Sequence, residues 1–180
     1  MAKTPRTSRG VAFELLRSIE TNDAYANIEL PKLISEAGLD TRDAALAQEL
    51  AFGTVRHQYF YDRIIEVGAD RKVGSIDRSS LLLLRLGAHQ LLGMRVPAHA
   101  AISETVDLAK VVINQGAAGF INGILRRVSE RTRDAWLLQL TSATSDEMET
   151  LAIEFSHPVW VVRALKDALR IDGRESELKE

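Results

Sequence analysis

Residues 78–92 read RSSLLLLRLGAHQLL, and the fold turns on where a helix of that composition can sit. Wound at the helical period, its apolar side chains point almost all round, interrupted only by a stripe holding Arg78, Arg85 and His89. Such a helix is covered on most sides, so it belongs at the centre of a bundle, with Asp77 placed to open it. Strand signals are scarce elsewhere. Helical periodicity recurs through nearly the whole chain, which predicts an all-α protein.

Working outward, Val11, Leu15, Leu16 and Ile19 line a first helix that Thr7 or Ser8 can cap, with Asn22 and Asp23 as breakers. A second helix near residues 26–37 stops at Gly38. Thr41 reads as the cap of one long helix over residues 42–68, with Leu46, Leu50, Val55, Phe60, Ile64 and Ile65 as its stripe and Gly68 as its end. Pro97 stands at the start of another helix over residues 98–113. Residues 145–155 and 157–171 supply two more. The weakest region is 141–146, which sets a domain boundary near residue 140. Residues 1–140 then form one domain, and 141–180 a helical linker. On the last helix Trp160, Val161, Val162 and Leu165 need cover, from the bundle, from a further part of a longer protein, or from a second copy.

The totals bound the function. At 180 residues and 46% hydrophobic, the chain is a soluble globular protein with one full core and part of a second unit. Its net charge is −2, but residues 134–180 carry −5, leaving +3 on residues 1–133. A nucleic-acid role must therefore rest on local clusters of cations. With no cysteine there is no disulfide frame, thiolate metal site or cysteine nucleophile. His57, His89, His99 and His157 fall on different elements without a metal-ligand spacing, and no nucleotide-loop or nucleophile-elbow motif occurs. No catalytic, metal-binding or cofactor-binding residue is expected in this chain. No run approaches the roughly 20 apolar residues that span a bilayer, and the charged N-terminus leads into no signal-peptide core. A cytoplasmic location without membrane contact is the expectation.

Residues 114–127, NQGAAGFINGILRR, could be a phosphate-holding loop or the start of a helix. On a helix, Ala117, Ile121, Ile124, Leu125 and Val128 make one apolar face. Gly119, Gly123, Arg126 and Arg127 lie opposite. Each internal glycine costs a helix about 1 kcal/mol relative to alanine, so something is expected to approach the backbone closely. A neighbouring helix is the adopted reading, with a phosphate at the helix start as the alternative. Lys3, Arg6 and Arg9 cluster near the N-terminus, and Arg126, Arg127, Arg131 and Arg133 along a helix end. Both groups suit phosphate contacts, which neutralise a backbone without reading bases. The alternative is a solvated face with helix-end cations favoured by the dipole.

Four segments in order carry a resemblance: residues 43–65 (DAALAQELAFGTVRHQYFYDRII), 81–94 (LLLLRLGAHQLLGM), 96–110 (VPAHAAISETVDLAK) and 119–128 (GFINGILRRV). Together they resemble the NusB-like helical RNA-binding domain over roughly residues 6–133. Residues 154–165, EFSHPVWVVRAL, resemble the segment following that domain in the bacterial 16S ribosomal RNA cytosine-C5 methyltransferases, the RsmB (Sun/Fmu) family. The resemblance implies a bundle of two three-helix halves followed by further helices. It also implies RNA binding, with 16S ribosomal RNA as partner and the family's arginine-rich N-terminal arm matched by Lys3, Arg6 and Arg9; the helix-end cations Arg126, Arg127 and Arg131 are the other expected RNA contacts, on their charge. In that family a catalytic domain using S-adenosylmethionine follows, so the native chain is expected to continue beyond Glu180. The C5 chemistry needs a thiolate, so this chain alone is expected not to catalyse it. Glu104 and Asn122 match polar positions of the family pattern and are expected to make hydrogen bonds at helix contacts, with contact to RNA as the alternative. The alternative function is a NusB-type antitermination or protein-interaction module, docking a protein or a second copy through the bundle or last helix.

Overall fold

The computed structural model describes residues 4–22 and 25–179. Ten α-helices follow one another among them: α1 (Ser8–Asn22), α2 (Ala26–Ala37), α3 (Thr41–Arg56), α4 (Gln58–Ala69), α5 (Arg78–Leu92), α6 (Ala98–Val112), α7 (Gln115–Ser129), α8 (Arg133–Ser142), α9 (Glu147–Glu154) and α10 (Val159–Ile171). No strand occurs among the described residues. Helices α1–α3 form one half and α5–α7 the other, with α4 laid against α5 and α7. As its composition requires, α5 runs through the centre: every residue from Ser80 to Gln90 is buried. No helix of the described residues is long and apolar enough to cross a membrane.

Local chemistry accounts for most boundaries. The Thr7 hydroxyl accepts from the Gly10 amide at 3.1 Å and so covers the start of α1. Gly38 ends α2 in the left-handed region at φ 69°, where a glycine carries no Cβ penalty. Asp77 caps α5 through the Ser80 amide. Three expectations between residues 40 and 70 need correction. Asp40, not Thr41, caps α3, accepting from the Asp43 amide at 2.8 Å. The expected single helix is two, parted at His57. Asp70 at φ 51°, not Gly68, ends the second. The break has a packing cause, since α3 lies on α1 and α5 while α4 serves α5, α7 and α9. Val55, expected in the stripe, is left outside at the bend.

The polar stripe of α5 is buried over most of its length, because α1, α3 and α4 close over it. Arg85 is 6% exposed. Its Nε and Nη2 donate to the two Asp62 oxygens at 2.7 and 2.9 Å, and Nη1 donates to Glu20 at 2.6 Å. One guanidinium thus ties α5 to α4 and α1. Burial opposes its charge, but the Asp62 and Glu20 contacts hold its pKa above the ordinary value. One turn on, the buried His89 pairs through Nδ1 with the Tyr61 hydroxyl at 2.9 Å. Its ring fits because Gly53 has no side chain: a Cβ there would lie 2.1 Å from His89 Nε2. Burial lowers the His89 pKa, against the opposing pull of Glu49.

After α7, the α8 side chain Trp136 enters the main core and donates its Nε1 proton to the Val128 carbonyl at 2.9 Å. From α9, Ile153 joins that core, and the Ser156 hydroxyl just beyond accepts from the Phe60 amide at 3.1 Å. Leu151, Ala152 and Val162 form a second, small cluster. Of the apolar residues expected to need cover on α10, only Val162 is fully buried. Trp160 is 72% exposed and Leu165 50%, and Ile171 joins them on the surface.

Candidate nucleic-acid interface

Residues 115–129 form helix α7, so the stretch that raised the question of a phosphate loop is helical. The Asn114 side chain caps it by accepting from the Ala117 amide at 2.9 Å. Ile121, Ile124, Leu125 and Val128 are buried as expected, with Ala118 rather than Ala117 completing the face. The glycines do not do what was expected of them. A Cβ built on Gly119 or Gly123 would meet nothing within 4 Å, and one on Gly116 only the Asn114 side chain at 3.3 Å. No helix packs there, because α4, α5 and α6 occupy the other side of α7. What results is a bare strip of backbone open to solvent.

Cations border that strip. On its α6 edge stands Arg126, exposed, whose Nε donates to the Asn122 Oδ1 at 3.3 Å. On its α4 edge stands Arg127, also exposed, whose Nη1 donates to the Gly68 carbonyl at 2.7 Å. That bond adds a cation to the C-terminal end of α4, where carbonyls lack helical partners. Beside it Arg71 lies 5.6 Å over the Phe120 ring. Arg131, past the end of α7, stacks 5.0 Å above the Trp136 ring and stays exposed. Arg133 sits 5.3 Å over Phe60.

The N-terminal group is less uniform. Lys3 lies outside the described residues. Arg6 is exposed on a crevice that Glu14 and Glu36 also line. Arg9 faces inward: its Nε donates to Gln90 Oε1 at 2.7 Å, and Nη1 lies 3.6 Å from Glu104. Gln90, fully buried, donates in turn to Thr105 at 3.0 Å. Arg9 and Glu104 therefore bridge α1, α5 and α6. The structure brings Arg126 and Arg127 together on one face and engages Arg9 within the bundle. Arg71, Phe120 and Lys110 escaped sequence reasoning. Arg71 follows a cap rather than a cluster, and Lys110 is a single lysine on a helix of mixed charge.

Comparison with known proteins agrees with this architecture. Residues 6–130 match the NusB family. A Mycobacterium tuberculosis protein with a provisional methyltransferase name is 43% identical over 163 residues, covering 90% of this chain and 36% of that protein. The ribosomal RNA small subunit methyltransferase B of Pseudomonas putida is 32% identical over 158 residues, covering 88% of this chain and 34% of its own. The chain thus spans about a third of the length of these relatives. Among solved structures, antitermination factors NusB and NusE in complex with double-stranded RNA give a TM-score of 0.63 at 22% identity, covering 72% of this chain and 98% of that one. A family match over more than two thirds of the sequence, on a bundle of the same shape, leads to one conclusion: this chain belongs to the NusB family.

Proposed function

We propose that this chain is the RNA-binding N-terminal module of a ribosomal RNA methyltransferase, holding 16S ribosomal RNA by phosphate contacts for a catalytic domain that follows. The observation that carries the reading is the open glycine strip of α7 between Arg126 and Arg127. A sugar-phosphate backbone can lie close to bare helix, with guanidinium donors on both sides. Arg131, just past the end of α7, extends the positive surface, and Arg6 and Lys3 are further phosphate contacts in this reading, on the strength of their charge and place in the sequence. Arg9 acts chiefly by holding α1 on the bundle. Residues 1–140 form the RNA-binding unit and 141–180 the helical connector. Relatives named as small subunit ribosomal RNA methyltransferases support the parent activity.

The methyl donor of such an enzyme is S-adenosylmethionine. We assign its binding to a catalytic domain of the longer protein, since the glycine-rich residues 114–127 of this chain go into helix α7 and its cap. Transfer to cytosine C5 calls for a thiolate that this chain lacks, and both functions fall to the catalytic domain. Filter binding of a 16S fragment at two salt concentrations tests the reading. Retention that weakens as salt rises supports it, while absent or salt-insensitive retention refutes it.

One observation favours a second reading. The exposed Trp160, Leu165 and Ile171 on α10 suit a protein partner or a second copy. Sedimentation of the chain over a range of concentrations tests self-association directly.

A further inference from the structure

The groove between α6 and α7 is distinct from the glycine strip, although Arg126 stands on the ridge that separates them. It encloses about 530 Å³. Its floor is apolar, made by the half-buried Ile102 and Val106 of α6. Lys110 stands on its α6 rim, with Asn122 and Arg126 on the α7 rim. We propose that this groove seats a base of single-stranded RNA, with the adjoining phosphates on Arg126 and Lys110. The proposal rests on the RNA-binding reading and adds a subsite to it.

Three features favour a nucleotide. The first is the juxtaposition of an apolar floor with cations on opposite walls, Lys110 beside Asp107 on one and Arg126 on the other, which matches an apolar base flanked by anionic phosphates. The second is unused donor capacity. Arg126 commits only its Nε, to Asn122 Oδ1, so its two Nη groups are free for a phosphate among the described residues. Asn122 accepts in that bond and keeps its amide NH₂ for a base edge. The third is ease of exchange. Lys110 is paired with Asp107 on its own helix at 2.7 Å, and both are well exposed. Such pairs contribute little, so a phosphate can take the ammonium without disturbing the fold. Beyond Arg126 the bare strip offers the strand a continuous path.

The test compares two probes by fluorescence anisotropy at one salt concentration: a uridine hexamer, and an abasic oligonucleotide with the same number of phosphates. The intact chain should hold the hexamer about tenfold more tightly, since only the hexamer can bury a base face. Val106→Met, which fills the floor with an aliphatic chain that offers no aromatic face for a base to stack on, should bring the two affinities within about twofold by weakening the hexamer. Should Val106→Met fail to fold, Ser103→Met fills the groove from its exposed rim and should act alike. Base preference that survives in a folded filled variant overturns the proposal, as does equal affinity of the intact chain for both probes. A chain that binds neither probe refutes the underlying RNA reading instead.

Discussion

Glycines serve two opposite purposes in this molecule. Around α5 they mark places where something else fills the space. A Cβ on Gly87 would lie 2.5 Å from Leu125 Cδ1, and one on Gly53 would strike the His89 ring. On α7 the corresponding space at Gly119 and Gly123 is empty. The first group lets helices interlock, while the second weakens a helix without improving any packing within the chain. A glycine's role therefore lies in its neighbour: inside the bundle that neighbour is another side chain, and on α7 the chain supplies none, which leaves room for the ligand proposed above.

The largest effects are expected inside the bundle. Arg85→Ala should lower unfolding free energy by about 3–5 kcal/mol, because Asp62 and Glu20 are left facing each other without their shared cation. Urea melts measure it. Gly87→Ala should cost about 1–3 kcal/mol by overpacking against Leu125, read in the same melts; a neutral result would mean that α5 and α7 meet loosely. The outer side should respond with the opposite sign. Gly119→Ala and Gly123→Ala should each stabilise the fold by up to about 1 kcal/mol while weakening RNA retention. Loss of stability in either would show that the strip is packed after all.

Two smaller effects are expected, one at the surface and one in the interior. Replacing Arg126 and Arg127 together by alanine should flatten the salt dependence of RNA binding, by about 0.7 in log–log slope for each phosphate that is no longer neutralised. An unchanged slope would remove both residues from the interface. In the interior, the lowered His89 pKa means that the unfolded chain takes up a proton near pH 6.5 before the folded one does. Stability should therefore fall as pH drops through that value and below. Thermal melts at pH 7.5 and 5.5 should show the decline, and His89→Gln should reduce it.

How much of this was legible depended on whether the deciding interaction lay within one helix. The central place of α5, the end of α2 at Gly38 and the buried face of α7 follow from periodicity and local capping, and the structure agrees. The break at His57 was not legible, because no glycine or proline marks it and its cause is the different neighbours of α3 and α4. Arg85 and His89 read as a polar stripe, yet their burial depends on Asp62, Glu20, Tyr61 and Gly53 brought from other helices. The site shows the same division. Arg126 and Arg127 stand out in the sequence, but the empty space over Gly119 and the facing of Lys110 across a groove exist only once α6 and α7 pair. Arg9 had the right charge and position for an RNA contact, and only the fold shows it turned toward Gln90 and Glu104.

The chain's two tryptophans sit in opposite surroundings. Trp136 is sealed in the core with its indole proton on a carbonyl, and Trp160 stands on the surface of α10. An aqueous quencher such as iodide therefore reaches one fluorophore and is denied the other. Loss of quenching on adding a protein would report that α10 has been covered, whereas new quenching of the protected indole would report that the bundle has opened. The native sequence thus carries separate optical probes of docking and of integrity, with no label added.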